Sequence, residues 1–329
     1  MAKKVLMATL ALLALSMMIP QGLAFMMKPQ SLAWFFFRPA IVSTDRLEWN
    51  LNRGNLVVLD VRGEDAYDAG HIPGAINFPE GMWYINPPFG PDLPWMEMPP
   101  EDDLFELIGD AGITRYSWVV VVGATSGLLL PELPLALYST AGITRVAITL
   151  LYAGVKYVSI LDGGYDKWAM EGKPVSTDPV TPIPVTYEGT VDETMLVSAE
   201  YVESKIGKSI IVDARDEIVY NGTATEPWAP DPGHISTAKN LPTPTLWNVE
   251  VDGDFAICIT YKDFWTLWRM VSSVVGRNWF REIIVYCGVG GYASTAYFVL
   301  TEVLGYRNVR LYDGSTHEWN GMLGKPLVT

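Results

Sequence analysis

Three stretches of this chain occur twice, in the same order, about 160 residues apart, and that internal duplication limits the fold more than any other feature. Residues 55–80, NLVVLDVRGEDAYDAGHIPGAINFPE, are answered by residues 209–242, SIIVDARDEIVYNGTATEPWAPDPGHISTAKNLP. Residues 118–127, WVVVVGATSG, are answered by EIIVYCGVGG at 282–291, and residues 157–175, YVSILDGGYDKWAMEGKPV, by VRLYDGSTHEWNGMLGKPLV at 309–328. A chain of 329 residues therefore reads as two domains of one fold, each long enough to bury its own core.

Within each copy, continuous β-branched runs alternate with helix-like segments. VVLDV, WVVVVG and YVSIL in the first, and IIVDA, IIVYC and VRLYD in the second, lack period-two alternation, as strands buried on both faces do. The expected fold class is α/β: two tandem domains over residues 43–175 and 190–329, each a parallel sheet flanked by helices. STDPVTPIPVTYEG at 176–189 is Pro-rich and reads as the linker. YINPPFGPDLPWMEMPP at 84–100 reads as a surface loop of the first copy.

Before the first copy, Lys3 and Lys4 lead into an almost wholly apolar run, VLMATLALLALSMMIP, with small residues Gly22 and Ala24 behind it. Residues 1–27 are expected to be a signal peptide or an N-terminal membrane anchor, and either places the remainder outside the cytoplasm. A net charge of -14 argues against a nucleic-acid partner, whose phosphates require a basic surface.

The chain has two cysteines, Cys258 and Cys287. In an exported protein they could form a disulfide, one reading of the pair. Their settings differ: Cys258 lies in the apolar AICITY, whereas Cys287 opens the turn CGVGGY at a strand end, where ligands of parallel α/β sheets collect. Gly288, Gly290 and Gly291 let the backbone bend until successive N–H groups converge on an anion. Residues 293–304 read as a helix whose N-terminus, with Ser294 and Thr295 as caps, adds positive potential, so thiolate is expected to be favoured over thiol. Such a thiolate can attack a sulfane sulfur and carry it as a persulfide. Phosphatase chemistry on a Cys-led loop requires a cationic clamp, and residues 287–294 contain neither Arg nor Lys.

Asp60-Val-Arg62 and Asp213-Ala-Arg215, Gly70-His71-Ile72-Pro73-Gly74-Ala75, Leu161-Asp162-Gly163-Gly164, and Tyr312-Asp313-Gly314-Ser315 followed by Glu318-Trp319 together resemble the tandem-domain rhodanese family of sulfurtransferases. The resemblance covers nearly all of the chain after about residue 43. It implies transfer of a sulfane sulfur from a donor such as thiosulfate, mercaptopyruvate or polysulfide to a thiol or cyanide acceptor. Cys287 is the implied nucleophile, with Gly288, Val289, Gly290, Gly291 and Tyr292 as the substrate loop. No cofactor and no metal are expected. Gly123 stands where the first copy would need a thiol, so that copy is expected to act as a wall of the site.

Departures from the family pattern bear on the substrate. Thiosulfate-using relatives carry cations just after the cysteine, where this chain has Gly288 and Val289; mercaptopyruvate-using relatives have Cys-Gly-Ser-Gly, with a hydroxyl residue at the position of Val289. A substrate-binding Arg usual in the second domain falls at Val219. Backbone donors without a charged clamp would suit a less charged donor such as polysulfide or a protein persulfide. Arg215 and His317 are candidate pocket residues, although Arg215, like Arg62, follows a buried strand and reads first as pairing with nearby carboxylates to hold the fold; His71 and His234 read as structural because they occupy matching places and only one copy has a nucleophile. The competing function is a catalytically weak sulfur-carrier or binding protein on the same fold.

Overall fold

In the computed structural model, which describes residues 39–87, 94–130 and 134–329, each copy is built on a parallel sheet whose strands are the apolar runs identified above. The expected signal or anchor segment lies outside the described residues. The first copy comprises β1 (Ile41–Val42), α1 (Thr44–Asn50), β2 (Leu56–Asp60), α2 (Glu64–Asp68), β3 (Ile76–Asn77), α3 (Glu101–Asp110), β4 (Trp118–Val122), β5 (Gly127–Leu128), α4 (Leu135–Tyr152), β6 (Tyr157–Leu161) and α5 (Gly164–Met170). The second comprises α6 (Ala199–Lys205), β7 (Ile210–Asp213), α7 (Glu217–Tyr220), β8 (Lys239–Asn240), β9 (Trp247–Asp252), β10 (Phe255–Tyr261), α8 (Phe264–Val275), β11 (Ile283–Tyr286), α9 (Gly291–Phe298) and β12 (Val309–Leu311).

The sheets have matching orders, β1-β6-β4-β2-β3 and β12-β11-β7-β8. In the second, the place of β1 is taken by a single parallel bridge, Leu196 to Leu311. Every residue of β4 and of β11 is buried, which explains their unbroken apolar sequence.

The duplication extends to individual hydrogen bonds. Arg62 donates from Nε and Nη2 to Asp60 and from Nη2 to the carbonyl of Gly70; Arg215 does the same to Asp213 and to Gly233. His71 stacks on Tyr67 with ring centroids 3.8 Å apart, and His234 on Tyr220 at 3.9 Å. Asn77 and Asn240 each donate to two carbonyls at their strand end. These side chains occupy the backbone groups left open where parallel strands stop, a need both copies share.

The copies pack into one unit, residues 40–329, through an uninterrupted core. Helix α4 is buried along most of its length because it lies between its own sheet and α9 of the other copy, and Thr144 on it pairs with Tyr261 Oη at 2.8 Å. Strand β5 adds antiparallel to β10, so the small sheet β5-β10-β9 is shared between the copies. Residues 176–189 contain no helix or strand beyond one bridge, Ser176 to His71.

The segment 84–100 differs from its expectation as a surface loop. One residue near its end is interior: Met98 is buried and its N–H donates to Asp313 Oδ2 of the second copy at 2.7 Å. Proline content fixed the extended backbone, but the partner copy decides whether water reaches it.

Candidate functional site

Strand β11 ends at Tyr286, and Cys287 begins the turn into α9. The segment after β12 clasps this turn from the side. Cys287 N–H donates to Ser315 Oγ at 3.0 Å, Thr316 N–H to Cys287 O at 3.1 Å, and His317 N–H to Gly288 O at 3.0 Å. At the far end of the turn Gly290 sits at φ 91° and donates its N–H to Cys287 Sγ at 3.1 Å. Only glycine fits there: the φ is left-handed, and a Cβ would lie 3.0 Å from Asp313 Oδ1 and 3.1 Å from Arg145 Nη1. Ser294 and Thr295, expected as caps, are already inside α9, whose N-cap is Gly290; Ser294 Oγ donates back to Gly290 O at 2.8 Å.

The expectation of a favoured thiolate is corrected. Cys287 is 3% exposed, and burial pushes its thiol above the ordinary value. The N–H groups of Ala293, Val289 and Gly290 pull in the opposite direction, and the carboxylate of Glu226 adds to the upward push. The converging amides are therefore present, but desolvation outweighs them in this closed arrangement.

Of the two readings of the cysteines, the structure shows separate thiols rather than a disulfide. Cys258 and Cys287 are both free and buried; Cys258 lies on β10, against Gly163 of the first copy.

Of the remaining expected site residues, Gly288, Gly290, Gly291 and Tyr292 are buried and Val289 is half-buried. Arg215 and His317 are both brought to the turn, in different ways. Arg215 Nη1 donates to Glu226 Oε2 at 3.1 Å, and Glu226 in turn presses on Gly288, where a Cβ would stand 2.6 Å from Glu226 Oε1. His317 is buried and touches the turn through its backbone.

Several residues escaped the sequence reading. Glu226 and Trp228 belong to a stretch that the second copy has and the first lacks, between the Asp-x-Arg strand end and Gly-His-Ile, and together they cover Gly288. The unequal spacing of these motifs was the available signal. Others come from the first copy, which no local pattern could place. Trp95 meets Trp228 with centroids 5.9 Å apart, Tyr138 meets Tyr292 at 5.8 Å, and Arg145 brings a guanidinium within 3.4 Å of Ser294 Oγ. Tyr138 is 44% exposed, so the aromatic rim reaches solvent.

The rim is acidic rather than basic. Burial raises Glu226 and Asp216, although the Arg215 guanidinium draws Glu226 back down; burial also pushes the Tyr138 hydroxyl upward, and both carboxylates add to that push. In Glu226→Gln the charge that opposes ionisation of Cys287 is gone. The pH midpoint of iodoacetamide labelling at Cys287 is expected to move to lower pH; an unchanged midpoint would show that Glu226 does not govern this thiol.

Comparison with known proteins places these features in context. A rhodanese-like domain is matched at residues 43–171 and again at 198–322. A Mycobacterium leprae protein provisionally named a thiosulfate sulfurtransferase is 30% identical over 87% of this chain and 96% of its own length. The sulfur carrier protein TtuD of Thermus thermophilus is 31% identical over 88% of this chain and 96% of its own. Among solved structures, the anaerobic ergothioneine biosynthesis enzyme of Chlorobium limicola, in complex with trimethyl histidine, superposes with a TM-score of 0.72 at 21% identity, covering 88% of this chain and 70% of that one. That last likeness carries the fold alone.

Proposed function

The chain belongs to the rhodanese family of sulfurtransferases, and from that premise we propose that it moves a sulfane sulfur from a small donor to a thiophilic acceptor through a persulfide on Cys287. The observation that carries this reading is the bond from Gly290 N–H to Cys287 Sγ, at the head of α9, where a negative sulfur would be held by main-chain amides.

In the first step Cys287 loses its proton and its thiolate attacks the outer sulfur of a donor R–S–S⁻. The donor's S–S bond breaks, R–S⁻ departs, and Cys287 carries –S–S⁻. In the second step an acceptor thiolate attacks the outer sulfur, the Cys287 S–S bond breaks, and the enzyme thiolate returns. Cys287 is buried, so a donor reaches Sγ only when the packing around the turn opens.

The acidic, aromatic rim bears on the donor. A dianion such as thiosulfate would approach Glu226 and Asp216 without a free cation on the loop to receive it, whereas a polysulfide or protein persulfide brings less charge. Treatment with polysulfide is expected to add one sulfur atom, about 32 Da, to the peptide containing Cys287 and not to the one containing Cys258. Absence of the adduct from a thiol shown to be reactive would overturn the persulfide step.

A second reading is a sulfur carrier with little turnover. Burial of Cys287 and its raised thiol favour it, and TtuD bears a carrier's name. Loading of Cys287 by donor without repeated product release to a thiol or cyanide acceptor would select the carrier over the catalyst.

A further inference from the structure

The first copy carries the same strand end as the second, without its thiol, and a cavity of about 420 Å³ opens there. The equivalence is shown by the ladder: Val61 N–H donates to Val122 O at 2.8 Å, as Ala214 N–H donates to Tyr286 O at 2.9 Å, so Gly123 takes the place of Cys287. Likewise Glu80 N–H donates to Val61 O and Thr243 N–H to Ala214 O, so a carboxyl stands in the first copy where the second has a hydroxyl.

The decisive difference is at the arginine. Arg215 spends Nη1 on Glu226, within the stretch that covers Gly288. The first copy lacks that stretch. Arg62 uses Nε and Nη2 on Asp60 and Gly70 and lies over the Tyr165 ring at 3.7 Å; among the described residues its Nη1 meets no acceptor, and the residue lines the cavity. The same cavity is lined by Ser139 and Glu80; among the described residues the Ser139 hydroxyl makes no hydrogen bond and the Glu80 carboxyl accepts only from Tyr84 Oη, at 3.2 Å. Burial lifts Glu80 to about 7, so near neutrality it can hold a proton and act as a donor.

We propose that this cavity binds a small oxyanion, a carboxylate or a sulfur oxyanion, with Arg62 Nη1 and the Ser139 hydroxyl as its donors. The volume falls in the range of small-molecule sites. Asp60 and Gly70 hold the guanidinium in place and leave Nη1 as its unused donor, a fixed cationic N–H group suited to an anionic oxygen. No thiol lies in the cavity, so the site holds its ligand without transferring sulfur, and it stands whether or not Cys287 is a catalyst.

The test uses the full chain with Cys287→Ser, so that the second copy cannot consume the probe. Sodium sulfite and sodium acetate are titrated separately by calorimetry, then repeated with Ser139→Trp and with Gly81→Trp, which fill the cavity from two different lining segments, each checked for unchanged melting. Saturable binding of either probe, weakened at least about tenfold in whichever filling variant keeps its melting temperature, is the expected result. Sulfite alone would mark a sulfur-oxyanion site; both probes would mark a general carboxylate and oxyanion site. Failure of both probes to bind at about 10 mM, or binding that a folded filling variant leaves unchanged, would overturn the proposal.

Discussion

Arg145→Met is expected to lower the unfolding free energy by about 3–5 kcal/mol, because it removes one partner of a buried ion pair and leaves the other. The Arg145 side chain is fully buried and that of Asp313 is 10% exposed. The guanidinium donates to both carboxylate oxygens, from Nη2 at 3.0 Å, while Asp313 Oδ2 also accepts Met98 N–H. One residue is on α4 of the first copy and the other follows β12 of the second, so the pair joins the copies behind the Cys287 turn. Without Arg145, Asp313 must either remain charged in an apolar setting or take up a proton. The pair Arg145→Met, Asp313→Asn removes both charges, keeps an acceptor for Met98 N–H, and should recover most of the loss. Denaturant unfolding monitored by tryptophan fluorescence reads both. A loss below about 1 kcal/mol in the single variant would mean that the pair behaves like an exposed one.

Cys287→Ser is expected to reduce multiple-turnover sulfur transfer at least about a thousandfold while leaving the fold unchanged, since a hydroxyl at that place cannot carry sulfane sulfur. Ser is close in size to Cys and can still accept the Gly290 N–H, so the circular dichroism spectrum and melting temperature should match the parent. The informative companion is Cys258→Ser, which should retain activity because Cys258 packs at the contact between the copies, against Gly163. Equal loss in both variants would point to damage of the interface rather than removal of a nucleophile. Full activity in Cys287→Ser would end the persulfide mechanism.

Much of the fold was legible because its signals are local. Runs such as WVVVV and IIVY are short and rich in β-branched residues, as strands covered on both faces are, and these became β4 and β11, wholly buried in their sheets. The repeat then required two copies of one topology, and the structure has it down to the paired Arg62–Asp60 and Arg215–Asp213 bonds. The glycines of the turn were legible as a group, Gly288, Gly290 and Gly291, and the structure shows that of the three it is Gly290 whose φ is left-handed. The ionisation of Cys287 was misjudged for the opposite reason: amide donors are encoded next to the thiol, whereas its burial and the nearby Glu226 carboxylate come from packing that no local pattern shows.

The order of residues alone thus determined a duplicated parallel α/β fold, one strand-end thiol beside a glycine turn, and a first copy lacking that thiol, since each depends on neighbours within a few positions. Tertiary structure alone decided that Arg145, Tyr138 and Trp95 of the first copy join the site of the second, and that the rim is acidic. It also decided that one arginine edge is capped while its twin opens into a cavity. Charge and desolvation act through space, and which groups share that space is fixed only when the two copies pack together.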